Sequence, residues 1–562
     1  MATTRTFSIS GNNESLNQRR ESITAQDVGA LARVDTVVAA DAAKATQTEV
    51  NMTLSQGLKI YPKAIGWSVL LSTCIVMEGF DLVLINSLVA LPAFQMRFGD
   101  PVGDGTYQIS AAWQSGLANG ALVGEMLGLM LIGLIVERLG YKKTLIGALT
   151  MITGLIFIVF FAQSLPMLLV GEILMGIPWG AFQTLTTTYA AEVCPVQLRA
   201  YLTTYVNLCW VLGQFLSSGV LKGVSGETGP IGYKLPYALQ WIWPIPLIIG
   251  IALAPESPWW LVRHQRFDEA KHSLQRLTSK GQGTVDHNEI IAMMLYTDEL
   301  EKASTAGVKY IDCFKGTNLR RTEIVCMVWA IQTLCGSAFI GYSTYFFEQA
   351  GLDVSSAFSM TLGVYGLGAV GTISSWFLMM KVGRRNIYLY GQVCMVCILL
   401  IIGFLGIIPR SATGAQWAIG ALLIIYTFVY DFTVGPVCYS LVAEISSTRL
   451  RNKSVILARN FYNITGIIAN ILTPRMLSPT AWAWGAKAGF FWAGVGALCT
   501  VYTFFRIPEP KDRTYAEMDM LFEAKVSARK FKHTSVENFA SAGSDGHMGS
   551  VEKQNVAMNE KS

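Results

Sequence analysis

The sequence predicts an all-α membrane protein whose twelve transmembrane helices form two six-helix halves. Three observations predict it. Hydrophobic residues make up 52% of the 562-residue chain and charged residues only 14%, with a mean hydropathy of +0.40, where a soluble chain carries about a quarter charged residues. The apolar residues gather in runs of roughly twenty, the length that crosses a hydrocarbon core of about 30 Å. Short polar motifs also recur about half a chain apart, the mark of a duplicated unit.

The runs fall near 63–90, 109–136, 144–164, 167–190, 199–221 and 237–255, then near 323–348, 355–381, 386–408, 416–440, 453–476 and 485–506. The expected division is therefore a disordered segment 1–60, a helix bundle 61–255, a linker 256–322, a second bundle 323–507 and a tail 508–562. The first 60 residues are polar and lack the apolar run of a cleavable signal peptide. They and the tail after about 525 read as disordered. Within the linker, Arg266–Lys280 and Glu289–Lys302 have the pattern of short amphipathic helices.

Basic residues orient the chain. The loops near 137–143, 191–199, 381–386 and 444–453 hold ten Lys and Arg, whereas the opposite loops hold four, Arg97, Lys222, Lys234 and Arg410. The positive-inside rule then puts both termini and the linker in the cytosol. These anchors explain the net charge of +5 without a nucleic-acid partner. Most of the ten cysteines lie in apolar spans, with no metal-ligand or disulfide spacing, so no cofactor or metal is expected. The sequons at Asn13, Asn51, Asn452 and Asn463 fall on cytosolic or intramembrane positions, and no N-glycan is expected. The tail lysines Lys525, Lys530, Lys532, Lys553 and Lys561 offer sites for ubiquitination machinery.

The recurring motifs sit at the ends of the spans. Ala191-Glu192 is followed seven residues later by Arg199, and Ala443-Glu444 by Arg451 at the same spacing. Pro255-Glu256 recurs as Pro508-Glu509, and Leu139-Gly140-Tyr141-Lys142-Lys143 as Val382-Gly383-Arg384-Arg385. Glu192 is expected to pair with Arg138 and Arg199 under one half, and Glu444 with Arg384 and Arg451 under the other. Such pairs would close the cytosolic side and break when it opens. They are gating groups, not chemical ones.

Ionisable residues inside spans are costly in hydrocarbon and are functional candidates by default. Glu78 and Asp81 share a helix face in span 1, Glu172 begins span 4, Asp431 lies in span 10 and Arg459 in span 11. Three acids facing one base leave carboxyls unpaired, able to take up and release protons near neutral pH. The residues alone leave Asp81, Glu78 and Glu172 open as the primary acceptor. A static pair of Asp81 or Glu172 with Arg459 is the structural alternative. Asp431 reads as a pore-lining hydrogen-bonding group. Span 5 sets Asn207, Trp210 and Gln214 along one face; span 7 offers Gln332, Tyr342 and Tyr345, span 10 Tyr439, and span 11 Tyr462, Asn463 and Asn470. Amides, hydroxyls and aromatic faces of this kind suit a sugar.

The six end-of-span motifs, with Pro255-Glu256-Ser257-Pro258-Trp259-Trp260-Leu261-Val262-Arg263 and Pro508-Glu509-Pro510, resemble the sugar porter family of the major facilitator superfamily over about 60–525. The double Trp, Gly176-Ile177-Pro178-Trp179-Gly180 and Leu202-Thr203-Thr204-Tyr205 resemble its fungal maltose-permease-like, α-glucoside:proton symporter branch. Proton-coupled sugar porters carry an Asp at the place of Asp81 and an Arg near that of Glu172. This chain departs at Glu172, and the α-glucoside branch departs in the same way. The resemblance implies that Asp81 takes the proton, with Arg459 tuning it. It further implies that Asn207, Gln214, Gln332, Tyr439 and Asn463 contact sugar. Thr333 and Ala338 stand where many sugar porters have Gln and Asn, which fits a larger substrate. The expected protein is a monomeric plasma-membrane carrier, not an enzyme, importing an α-glucoside such as maltose with a proton by alternating access. A hexose or β-disaccharide facilitator and a transporter-like sugar sensor are the other readings.

Overall fold

The computed structural model describes residues 36–534, apart from 104–105, 280–285, 306–308, 410–412, 448–449, 512 and 514. The expectations for Asn13, Lys553, Lys561 and Arg410 lie outside the described residues, and so does disorder at residues 1–35 and 535–562. The first half comprises span 1 (Pro62–Leu88, interrupted at Thr73), span 2 (Ala111–Leu139), span 3 (Tyr141–Phe160), span 4 (Leu165–Val193), span 5 (Val196–Val224) and span 6 (Pro230–Leu253). The second comprises span 7 (Gly316–Gly341), span 8 (Val354–Lys381), span 9 (Arg384–Leu405), span 10 (Gly414–Ile445, interrupted at Thr433), span 11 (Arg451–Leu477) and span 12 (Gly485–Arg506).

Eleven of these are apolar enough to cross a membrane by composition. Span 5 is equally long at 29 residues but carries Asn207, Gln214, Ser217 and Ser218. It packs on span 1 of its own half and span 8 of the other, so much of its surface meets protein instead of lipid. A small hairpin, β1 (Asp100–Gly103) antiparallel to β2 (Thr106–Gln108), joins spans 1 and 2. The face bearing it is called the hairpin face below, and the opposite one the linker face.

Close helix approach brings the polar interior together. Spans 2 and 4 cross with Gly124 against Gly176: a Cβ at Gly124 would lie 2.8 Å from the Gly176 Cα and collide with the Ile173 carbonyl. Small residues at such crossings let backbones touch where lipid offers no hydrophobic drive to association. The two halves meet along two seams, span 2 with span 11 and span 5 with span 8. Asn119 Nδ2 donates to the Ile467 carbonyl (3.4 Å), and Lys222 Nζ donates to the Ser355 carbonyl (2.7 Å).

The recurring motifs have a common structural cause. The Glu256 carboxylate accepts from the Tyr141 and Lys142 amides (3.1 and 3.2 Å) at the start of span 3. It also accepts from its neighbour Ser257 N (3.1 Å). Burial pushes this carboxyl above its ordinary range, and the three amides pull it back. Gly140, at φ +85°, opens the turn that admits it. In the other half Glu509 lies in the same way against Gly383, which precedes span 9. Glu256 therefore caps the helix that follows its basic turn, where free amides and the helix dipole favour an anion; Glu509 lies at the matching place before span 9 and accepts from Lys511 N (3.3 Å).

Two end segments are more ordered than composition suggests. Thr36–Asn51 and Leu54–Ile60 are helical, within the segment expected to be disordered. The first is rich in alanine, the strongest helix former. It buries Ala42 and Ala45, packs on linker helix His287–Thr305, and pairs Lys44 with Glu289. After span 12, Tyr515–Glu523 is followed by a 3₁₀ turn, Ala528–His533, whose Phe531 is fully buried against Phe522. An aromatic anchor holds residues that polarity alone marks as tail. The linker also forms Pro258–Arg263 and Phe267–Leu277.

Replacing Glu256 by Ala is expected to cost about 2 kcal/mol, the range for charge-assisted hydrogen bonds left unmade. Thermal unfolding of the detergent-purified chain measures it; an unchanged midpoint would exclude the capping role.

Candidate functional site

Spans 1, 2, 4 and 11 bring Glu78, Asp81, Glu125, Glu172 and Arg459 into the interior, each at most 8% exposed. They form two groups. In the first, Arg459 of span 11 donates to Glu125 Oε1 of span 2 through Nη2 (3.0 Å) and Nε (3.4 Å). Its guanidinium lies over the rings of Trp329 (5.0 Å) and Tyr462 (4.7 Å), and Trp329 packs edge-on to Tyr439. Glu78 adjoins this pair; its Oε1 accepts from Gln183 Nε2 (2.9 Å) and its Oε2 has no partner. In the second group, Asp81 accepts from Gln240 Nε2 and lies beside Glu172, near Tyr237. No basic side chain among the described residues acts on Asp81 or Glu172.

This corrects the expected partner of Arg459: it is committed to Glu125, across the boundary between the halves, and not to Asp81 or Glu172. Sequence reasoning missed Glu125. The signal was present, a lone acid within an otherwise apolar stretch of span 2 next to Gly124. Its partner is 334 residues away, so no local spacing reveals the pair.

The other expected hydrogen-bonding residues lie on spans 5, 7, 10 and 11. Asn207 Nδ2 donates to Thr372 Oγ1 (3.3 Å) across spans 5 and 8. Asp431 stands beside both and against Gly368. Tyr430 donates to Gln332 Oε1 (3.2 Å), leaving Gln332 Nε2 without a partner. Asn463 is fully buried with neither amide atom paired. Trp210 Nε1 and Trp179 Nε1 are likewise unpaired, and Gln214 is half-buried one turn beyond Trp210. A buried polar group without a partner costs about 1–3 kcal/mol.

Span 7 breaks at this level. Gly336 has φ +100° within a π-turn, Thr333–Ser337. A Cβ there would lie 3.0 Å from Leu399 and 3.1 Å from Trp492. The Cys335 carbonyl beside the break accepts from Tyr426 Oη (2.8 Å). Tyr342 and Tyr345, expected in the pore, are each 1% exposed. They pack with Phe346 and with Val83, Val89 and Ala90 of the first half. Together with Thr344 donating to Ser87 Oγ (3.3 Å), they seal the hairpin face.

At the linker face Arg384 meets Glu444 (3.4 Å), as expected. The cluster around Glu192 is built on Arg263 (3.1 Å) and on Ser257, whose hydroxyl donates to it. Arg263 also reaches Asp298 (3.8 Å). Arg138 is exposed at the end of span 2 and Arg199 is half-buried at the start of span 5; the side chain of Arg451 lies outside the described residues. The missed partner, Arg263, belongs to the Pro-Glu-Ser-Pro motif, which folds back beneath span 4.

The fold is that of the major facilitator superfamily. The chain is similar to the proton:xylose symporter XylE bound to 6-bromo-6-deoxy-D-glucose, with a TM-score of 0.66 at 19% identity over 82% of this chain and all of that one. The inward-open structure of XylE from E. coli aligns with a TM-score of 0.64 at 18% identity, over 82% and 99% of the two chains. Among curated proteins the chain is 46% identical to the general alpha-glucoside permease of Saccharomyces cerevisiae, over 89% of this chain and 82% of that protein. It is 43% identical to the S. cerevisiae maltose permease MAL61, again over 89% and 82%. Residues 67–522 match the family described as "Sugar (and other) transporter", and the chain belongs to that family of multi-pass membrane transporters.

Proposed function

We propose that the protein imports an α-glucoside such as maltose together with a proton across the plasma membrane, with the linker face and both termini in the cytosol. The observation that carries this reading is the Glu125–Arg459 pair, which joins the two halves next to carboxyls that lack a cation. A facilitator needs no titrating interior, and among the described residues Glu78, Asp81, Glu125, Glu172 and Asp431 are buried within the spans with Arg459. The similarity to permeases named for alpha-glucosides and maltose supports the substrate class, and the unpaired amide and indole groups supply donors and acceptors for its hydroxyls.

The mechanism follows from what each group holds. With the hairpin face sealed, the halves touch along both seams and Arg459 is neutralised by Glu125. A proton reaching the span 1 acids makes the carboxyl interior tolerable while Arg459 moves with the second half. Sugar bridging Asn207, Gln332 and Asn463 replaces the hydrogen bonds lost as the halves rock. The Arg384–Glu444 and Glu192–Arg263 pairs then open and close the cytosolic side. Across about 100 mV a proton brings about 2.3 kcal/mol, and one pH unit adds about 1.4. That is enough to sustain a several-hundredfold gradient of an uncharged sugar.

Labelled maltose uptake into energised cells is expected to acidify the cytosol and to collapse with an uncoupler; downhill uptake indifferent to pH would exclude symport. Unlabelled α-linked disaccharides should compete, and cellobiose and lactose should not. Asp81→Asn should abolish accumulation while sparing exchange of sugar across the membrane, and normal accumulation would remove Asp81 from proton coupling. Arg459→Met alone should cost about 3–5 kcal/mol by stranding Glu125. Adding Glu125→Leu should recover most of that stability but no accumulation. If the double variant is no more stable than the single, Glu125 is not the partner whose charge matters.

A further inference from the structure

Where spans 7 and 12 reach the linker face, the helix Tyr515–Glu523 and the turn that follows it leave a cleft of about 680 Å³. Its lining includes Thr317, Arg320, Phe505, Arg506, Lys525 and Ser527. Three of these are cations. Glu323, close by, is held by Arg506 and by Tyr502 Oη (3.0 Å), which leaves Arg320 and Lys525 to make the cleft positive. Gly316 and Thr317 also line it, putting the first turn of the 17-residue helix Gly316–Gln332 and its free amides at the same spot.

Two features set the cations in place. Arg320 is rigidly positioned: Nη1 donates to the Val526 carbonyl (2.8 Å) and its plane lies over Phe522 (5.3 Å) and Phe531 (6.0 Å). Its Nε is buried without a partner. Lys525 has φ +54°. It ends the helix Tyr515–Glu523 through the bonds Lys525 N to Phe522 O (3.0 Å) and Val526 N to Leu521 O (3.1 Å). This is the left-handed position where glycine is favoured and any side chain is strained. A lysine kept there at a cost points to a use for its ammonium. The mouth of the cleft is two-toned: Phe505 is 55% exposed, and Leu319 and Val501 nearby on spans 7 and 12 are exposed as well.

We propose that this cleft binds the phosphate headgroup of an anionic phospholipid from the cytosolic leaflet, its acyl chains running along the exposed apolar side of spans 7 and 12. Basic pockets between transmembrane helices at headgroup depth suit such lipids, and a soluble anion would make no use of the apolar rim. The bound lipid ties the C-terminal helix to the first turn of span 7, the broken span that lines the central site.

The test uses the full-length chain in neutral detergent with equal mole ratios of phosphatidylserine or phosphatidylcholine, read as retained lipid by native mass spectrometry. Phosphatidylserine should be retained in preference to phosphatidylcholine. Lys525→Gly, which relieves the backbone strain, should unfold at or above the wild-type temperature yet retain about fivefold less phosphatidylserine, one surface cation's worth. Lys525→Arg should restore retention. Equal retention of the two lipids, or wild-type retention by Lys525→Gly, overturns the proposal. So does inorganic phosphate alone, if it stabilises the chain as phosphatidylserine does and displaces the lipid.

Discussion

An arginine and a glutamate, buried and shared between two halves that must move apart, constrain the rest of this protein. Withdrawing both charges from water is expensive, and their attraction repays the cost only where geometry is good and the remaining hydrogen-bonding capacity is met. The surroundings provide this in part. Arg459 makes two hydrogen bonds to one carboxylate oxygen and lies over two aromatic rings, where cation–π attraction offsets lost hydration. Such a pair adds little net stability when intact and costs much when separated. Parting spans 2 and 11 with both charges in place would be costly, and a change of charge at either partner would lower that cost.

The second group of acids works by the opposite arrangement. Asp81 and Glu172 lie together with Gln240 as the donor to Asp81, and two neighbouring carboxyls without a cation cannot both be ionised cheaply. Glu78, one turn before Asp81 on the same helix, borders the arginine pair instead. Span 1 thus reaches both groups, and a proton taken at one face of that helix is felt at the seam between the halves.

Much of this architecture was legible in the sequence, for a definite reason. Span lengths, basic turns and the Pro-Glu repeats are local patterns, and the structure places the repeats alike: Glu256 caps span 3 after Gly140, and Glu509 lies against Gly383 before span 9. Pairings were not legible. Arg459 could face any interior acid from its position in span 11, and its pair with Glu125 appears only once spans 2 and 11 are packed together. Arg263 was overlooked because its motif reads as a span-end signature, whereas its guanidinium holds both Glu192 and Asp298. Polar composition hid the docking of Thr36–Asn51, since alanines at helical spacing bury little surface each but enough to pack on the linker.

Breaks in the spans complete the design. Span 7 loosens at Gly336 and span 10 at Thr433, and a helix interrupted inside a membrane must satisfy the freed backbone from a neighbour. Tyr426 does so for Cys335. Gln332, Tyr430, Asp431 and Tyr439 all lie within a few residues of a break, so their side chains are carried by short segments and not by rigid rods. A closed pore built of unbroken helices could expose its amides only by moving whole bundles. Here a small rotation at Gly336 or Thr433 would reorient Gln332 or Tyr439 while Tyr342, Tyr345 and Phe346 stay packed. Glu125 and Glu172 thus sit on the close crossing of spans 2 and 4, whereas Gln332, Asp431 and Tyr439 sit on interrupted segments.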